Sequence, residues 1–379
     1  MVYIIIFLLT FWCHFRFDFS NKNAAVKRLL YLIEFILLVL VVALRYRVGG
    51  DSLGYEDDYE SINGWEELVS FNLTTSDEGF LWYAFVSLCQ FFSSKWVFVQ
   101  IIHALIFNYA VFRFVKKHCG TPFLAIALYA VFNYLYFNTE ILRASLAVAV
   151  FLLWGYDALL KKQWVKYFIL SLISANFHIE GVILLLFPIA YIIGKHRINE
   201  IALIFTIIGA VLLLNFLKID EMLFSLAQYY EAFESRVVLY TVEEEKNLNW
   251  LIAKIIEFIP VFICLWGTKY LDKDPDELSL LRGLLVFYTV VTVLTIYFPA
   301  LFSRLIDAIR IIYVVAFADT LGNMRRKHMN ALYVVILVVA LFCGGFMQYR
   351  SNVINIKYYP YHSVLQPQKE PQRELLFTK

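Results

Sequence analysis

Charge is scarce in this sequence. Asp, Glu, Lys and Arg make up 17% of its 379 residues and apolar residues reach 61%, where a soluble globular domain carries about a quarter charged and about half apolar residues. No single water-soluble core hides that much apolar surface, so a soluble fold is excluded and lipid must act as solvent. A pool of one charge is lacking too. The formal net charge is +2 and the basic residues are scattered in short clusters, which argues against nucleic acid as a partner. The five cysteines (Cys13, Cys89, Cys119, Cys264, Cys343) are odd in number and show no CxxC spacing, so neither a disulfide framework nor a metal site is read from them. His178 has no HxxxH or HExxH partner. No metal and no cofactor is expected. No repeat and no low-complexity linker is visible, so one domain over 1–347 is expected, followed by an outer tail, 348–379. The opening stretch MVYIIIFLLTFWCHF has neither a basic n-region nor a small-residue cleavage site. It is expected to be a retained first helix rather than a cleaved signal peptide.

What the sequence does have is long apolar runs. Mean hydropathy is +0.67, and 35 Phe and 25 Tyr suit lipid-facing and interfacial positions. The runs fall at about 1–15, 29–44, 79–93, 96–115, 121–137, 140–160, 164–178, 180–194, 199–217, 250–267, 283–298, 305–321 and 329–347. A crossing takes roughly 20 apolar residues, so the expected fold is an all-α polytopic integral membrane protein. Basic clusters mark the cytoplasmic ends: Lys22/Lys27/Arg28, Arg113/Lys116/Lys117, Lys161/Lys162/Lys166, Lys195/Arg197 and Arg325/Arg326/Lys327. Three runs separate the first two clusters, which would put them on opposite sides. One run therefore does not cross, and the short segment 79–93 is read as re-entrant. About twelve transmembrane helices remain, with both termini outside. Loops 45–78 and 218–249 then face outward, and the second is either an amphipathic helix on the membrane or a solvated loop.

Polar groups inside a membrane are costly and mark function or pairing. RYRVGGDSLGYEDDY, 45–59, puts Arg45 and Arg47 beside Gly49, Gly50 and Asp51. That is either an anion site or a helix end with interfacial arginines and a glycine turn. Glu78 at the mouth of the re-entrant segment is either functional or an acidic N-cap. Arg143 lies one turn inside an apolar helix with Glu140 three residues earlier, so the two are either a ligand pair or a local ion pair. His178 is followed by Glu180, and Arg304 opens a late apolar run. All six of Arg45, Asp51, Glu78, Arg143, His178 and Arg304 map to the outer boundary. Arginines converging with carboxylates and a histidine would bind an anion such as a lipid pyrophosphate beside an acid or base.

Six segments in this order resemble the EpsG family, relatives of the Wzy-type polysaccharide polymerases: RYRVGGDSLGY, EGFLWY, FNTEILRASLAVAVFLL, NFHIEGVILLL, FSRL and the tail PYHSVL. The resemblance implies that Arg45, Gly49, Asp51, Tyr55, Glu78, Arg143, His178 and Arg304 match recurrent polar positions. It also implies a GT-C-like membrane glycosyltransferase of capsule, exopolysaccharide or O-antigen synthesis. On this expectation the enzyme polymerises oligosaccharide units carried on undecaprenyl pyrophosphate, in a bacterial inner membrane with its site facing the periplasm. Arg45, Arg47, Arg143, Arg304, Tyr55, Glu140 and Tyr361 would bind the substrate, and His178, Asp51 or Glu78 would serve as base. Membrane lipid, a chain-length regulator and other envelope polysaccharide proteins are the expected partners. A single-sugar transferase or ligase and a lipid-linked oligosaccharide flippase are the competing readings. Two departures from the family pattern, Ile179-Glu180 after the histidine and Gly50 in place of Thr, are read as tuning the acceptor site.

Overall fold

The computed structural model describes the chain except residues 1, 21–22, 62, 71–78, 197–201, 205, 207–208, 210–247, 298–303, 350–351 and 376–379. Glu78, most of loop 218–249 and most of the run 199–217 lie outside the described residues. The described residues are all-helical, without a strand. Two isolated bridges join Arg45 to Ser363 and Ser363 to Gln366. Among the described residues three helices are long and apolar enough to cross a membrane, Trp96–His118, Leu142–Leu160 and Pro275–Thr295, and five shorter helices are apolar. Two compact units are formed, Met1–Leu184 with Leu321–Lys379, and Leu185–Thr320.

The first unit holds α1 (Val2–Cys13), α2 (Ala24–Ala43), α3 (Ser52–Ser61), α4 (Gly64–Val69), α5 (Phe80–Phe92), α6 (Trp96–His118), α7 (Pro122–Phe132), α8 (Tyr134–Thr139), α9 (Leu142–Val150), α10 (Tyr156–Leu160) and α11 (Trp164–Phe177). α2 packs along α6, and α9 lies between α6 and α11. α9 runs into α10 through a π-turn, Phe151–Gly155. The basic clusters gather at one end of the unit. Lys117 and His118 meet Asp157 in the first turn of α10, Lys27 donates to Phe17 O (3.3 Å), and Arg326 donates to Gly120 O (2.9 Å). α7 starts there with Pro122, and its amides at Phe123 and Leu124 donate to Asp18 (3.2 and 2.9 Å). The carboxylate meets unbonded N–H groups and the positive end of the helix dipole. Arg45 follows the other end of α2, whose 20 residues span about 30 Å. Basic clusters and Arg45 therefore occupy opposite faces of the unit.

α5 is one of several apolar helices too short to span a bilayer alone. Its 13 residues rise about 20 Å, short of the roughly 30 Å of a bilayer core. Its first residues pack on the C-terminal end of α11: a Cβ at Gly79 would fall 2.1 Å from Asn176 O. Its last turn meets α3, where Gln90 donates to Tyr59 O (3.0 Å) and Tyr59 donates to Ser93 O (2.6 Å). α5 thus starts and ends at the level of the Arg45 face.

The second unit holds α12 (Phe187–Lys195), α13 (Leu248–Gly267), α14 (Pro275–Tyr297) and α15 (Asp307–Arg326), whose last turns reach into the first. α12 and α14 approach backbone to backbone through glycine. A Cβ at Gly283 would fall 1.7 Å from Ala190 O, and one at Gly194 would fall 1.8 Å from Ser279 O. Overpacking costs about 1–3 kcal/mol where side chains can yield. Here the obstacle is backbone, so Gly283→Ala is expected to cost about 3 kcal/mol or more and to lower the unfolding temperature of the detergent-purified protein. An unchanged unfolding temperature would mean that the two helices are not held this close. The chain closes in the first unit with α16 (Asn330–Tyr349), α17 (Asn352–Tyr358) and α18 (Pro371–Glu374).

Candidate functional site

The site is assembled on the Arg45 face of the first unit. α2 ends at Ala43, and the chain turns so that the Arg45 side chain points inward, 1% exposed. Its Nη1 donates to Val42 O, while Nε and Nη2 are buried without a hydrogen-bond partner. Tyr3, Tyr134, Tyr361 and Glu140 surround it electrostatically. Burial pushes the guanidinium down to about 10, so it is still a cation at neutral pH.

The turn after Arg45 needs its glycine. Gly49 has φ 109°, and a Cβ there would fall 2.6 Å from the Thr139 side chain. Gly50 N donates to Glu140 Oε1 (2.5 Å), and Lys357 Nζ pairs with Glu140 Oε2 (2.9 Å). Thr139 and Glu140 are fixed in turn by a closed buried network. Asn108 donates to Asn138 (2.8 Å), Asn138 donates to the Tyr129 hydroxyl (3.0 Å), and Tyr129 donates back to Asn108 (3.0 Å). α6, α7 and α8 are tied together in this way, with every partner satisfied.

The C-terminal segment folds back over the same turn. Tyr46 N donates to His362 O (2.8 Å), Gly49 N to Lys357 O (2.9 Å), and Val364 N to Leu44 O (2.9 Å). Buried Arg373 donates to three carbonyls, Arg47 O, Ile356 O and Pro360 O (2.8–2.9 Å). Tyr361 donates to Val41 O (3.0 Å). Arg47, at φ 51°, is engaged by two carboxylates: both Glu374 oxygens at 2.7 Å, and Glu56 at 2.6 Å. Burial alone would lower the Arg47 guanidinium, but the hydrogen bond to Glu374 and the nearby acids hold it above its ordinary value. Hydrogen bonding to Arg47 keeps Glu374 below the usual carboxylate range, whereas burial raises Glu56 despite the same partner.

Beside the turn stands an aromatic wall. Asp51 is exposed and its carbonyl accepts from Tyr55 N (3.1 Å) in the first turn of α3. Tyr55 stacks on Trp96 (6.2 Å) and leans on Trp82 (5.6 Å), and the Arg143 guanidinium lies 5.7 Å above the Tyr55 ring. Asp58 is coupled electrostatically to Arg143. Phe177 packs against this wall and leads into His178. His178 Nδ1 lies 3.3 Å from the Glu180 amide and 3.4 Å from its carboxylate, so Glu180, one of the departures from the family pattern, is what the histidine meets. Arg304 is exposed and belongs to the second unit.

Two residues that the sequence did not single out reach this face from α6. With its amide turned to suit its neighbours, Gln100 donates to Arg45 O (3.0 Å) and Ala43 O (3.3 Å) and accepts from Trp96 Nε1 (2.8 Å). His103 is buried, with Nε2 2.6 Å from Ser145 Oγ and 3.2 Å from Leu142 O. Leu142 O only accepts, and Ser145 gives its own proton to it (2.7 Å). The Nε2 proton is therefore assigned to His103, which leaves the Nδ1 lone pair buried and unpartnered. Among the described residues, no group of three or more His, Cys, Asp or Glu is placed to hold a metal ion.

Five of the six ordered segments thus meet around one aromatic wall and one buried arginine, and only FSRL lies in the second unit. The EpsG family model matches residues 28–363. The chain belongs to the EpsG family. No curated protein and no solved structure matches it. The matched span of this EpsG-family chain includes the turn at Arg45, the wall and the tail as far as Ser363. The Arg373 and Glu374 contacts lie beyond it. Family membership and the apolar helices make it a membrane protein of exopolysaccharide synthesis, with a polymerase-like role.

Proposed function

We propose that the chain is a membrane glycosyltransferase that polymerises oligosaccharide units carried on undecaprenyl pyrophosphate. The observation that carries this reading is the placement, on one face of the unit, of a buried, incompletely bonded Arg45 and of Arg143 held over the buried aromatic cluster of Tyr55, Trp82 and Trp96. Guanidinium groups suit pyrophosphate oxygens. In the transfer, the bond between the anomeric carbon and pyrophosphate oxygen breaks, and its electron pair leaves with the pyrophosphate. The acceptor hydroxyl oxygen bonds to that carbon, and its proton passes to a base. Arg45 and Arg143 stabilise the departing charge, with Arg304 as the third candidate. His178, Asp51 and Glu78 are the candidate bases. The reading includes a GT-C-like arrangement with about twelve crossings in an inner membrane, and a site at the periplasmic face. The two outward ends of α5 support the non-crossing assignment of that segment. A chain-length regulator and other envelope polysaccharide proteins are its natural partners.

Surface glycan from a deletion strain tests the class. Loss of long polymer with survival of single units is expected, whereas one defined sugar missing from the unit would point to a single-sugar transferase. Arg143→Lys keeps the charge but loses the planar fork over Tyr55. Polymer length is expected to collapse at unchanged protein level, and normal polymer from that variant removes Arg143 from the mechanism. For topology, single cysteines at Asp57 and Ser94, both exposed, are expected to react with an impermeant reagent from the same outer side. Labelling of position 94 only from the cytoplasm would make α5 a crossing helix.

A further inference from the structure

α6 turns one polar stripe toward the site. Trp96, Gln100 and His103 follow at spacings of four and three, which puts them on one helix face, and all three are buried. An amide and an imidazole buried in an apolar helix are costly unless bonded, and each is bonded to a different neighbour. The Gln100 amide donates to Ala43 O and Arg45 O where α2 ends, and accepts from Trp96 Nε1. The Trp96 ring stacks on Tyr55, above which the Arg143 guanidinium lies. His103 shares its Nε2 proton between Leu142 O and Ser145 Oγ in the first turn of α9, two residues that bracket Arg143. The contacts close into a ring. It runs from Arg45 through Gln100, Trp96 and Tyr55 to Arg143, and returns to α6 through His103. Both donors of the Gln100 amide are taken by backbone carbonyls, so none remains for a ligand. His103 keeps only the lone pair of Nδ1, which an anion does not approach.

We infer that Gln100 and His103 are positioning residues, and that α6 is the spine that sets Arg45 and Arg143 at one fixed separation. Gln100 holds the backbone from which Arg45 departs. His103 holds the backbone on either side of Arg143, and Trp96 joins the two halves through Tyr55. Two guanidinium groups meet one diphosphate only when their spacing matches it, and a misplacement of about 1 Å costs about 10²-fold in rate. The charge they meet develops as the diphosphate leaves, so the loss falls on kcat rather than on KM. That consequence rests on the polymerase reading; the spine does not.

The test uses the full chain in nanodiscs with lipid-linked repeat units as substrate. Gln100→Met keeps the length of the side chain and removes its donors and acceptor. It is expected to lower kcat by about 30- to 100-fold with KM within about threefold. Should it not purify folded, Gln100→Asn withdraws the same amide by one methylene. His103→Leu is expected to act likewise, and His103→Gln, whose amide nitrogen reaches the place of Nε2, to restore about a third of the rate or more. Double variants show whether the two act through the arginines. On an Arg45→Lys background Gln100→Met is expected to cost less than about threefold more, and so is His103→Leu on Arg143→Lys. Full additivity in either pair, or a raised KM at unchanged kcat, overturns the inference. Amide exchange over 44–50 in the Gln100 variant and over 142–146 in the His103 variant is expected to quicken by about tenfold or more, whatever the chain catalyses. Unchanged exchange in both overturns the inference. Quickened exchange in a protein whose unaltered chain makes no polymer from these units upholds the spine and overturns only the polymerase reading.

Discussion

Arg45→Met is expected to abolish polymer while leaving the protein at least as stable as before. The buried guanidinium of Arg45 makes one hydrogen bond, to Val42 O, and leaves Nε and Nη2 unbonded. A buried donor without a partner costs about 1–3 kcal/mol. An apolar chain of similar length removes that cost and gives up only the Val42 bond. The unfolding temperature in detergent is therefore expected to hold or rise, by the equivalent of about 1–3 kcal/mol. Activity moves the other way, because removal of one preorganised donor at a developing oxyanion costs about 10²–10³ in rate. Opposed changes in stability and rate are the mark of a group kept for a ligand rather than for the fold. A steep loss of stability in Arg45→Met would make Arg45 a clasp for the end of α2. Undiminished polymer would remove it from the mechanism.

The helices were legible because hydropathy alone sets them in lipid. The runs at 96–115, 164–178 and 329–347 fall on α6, α11 and α16 within a few residues. Misreadings occur where something other than hydropathy sets the boundary. The run 180–194 is half 3₁₀ turn, Ile179–Leu186, and becomes α-helix only when Pro188 restarts it in the first turn of α12. α14 begins at Pro275, eight residues before its apolar run, because Pro at the start and Asp276 and Glu277 in the first turn favour a helix that hydropathy cannot see. In the site, Arg45 and Glu140 were legible because each bounds an apolar run, and Arg143 because it interrupts one. Gln100 and His103 were not, since single polar residues in a long helix gain meaning only from what they face. The spacing of Trp96, Gln100 and His103, which puts all three on one face of α6, was the available signal. Arg373 and Glu374 sit in a charged C-terminal stretch that reads as solvated. Only the turn at Arg47, more than 300 residues earlier in sequence, gives them a role.

Arg373→Met is expected to release the C-terminal segment and take the polymerising activity with it. Arg373 is 1% exposed and bridges Arg47 O, Ile356 O and Pro360 O. A hydrogen bond to a charged group is worth about 1.5–3 kcal/mol, and water restores part of it once the segment lifts, so a loss of about 3 kcal/mol is expected for the segment. Arg47 then loses the contact that supports its left-handed backbone, an arrangement a side-chain-bearing residue holds only when its surroundings enforce it. Limited proteolysis is expected to cut within 352–375 at least tenfold faster than in the unaltered chain. Arg373→Lys cannot span three carbonyls and is expected to rescue only in part. The Glu374–Arg47 contact adds a pH signature. Glu374 is held below its ordinary value of 4.5 by hydrogen bonding to Arg47, so its contribution is complete above that value and is lost as pH falls through the lowered one. Cleavage of the segment is therefore expected to be flat from pH 8 to about 5 and to accelerate below that, and Glu374→Gln is expected to remove the acid-side rise by loosening the segment at every pH. If Arg373→Met cleaves no faster and still makes full-length polymer, the segment is not what holds the Arg45–Gly50 turn in its working shape.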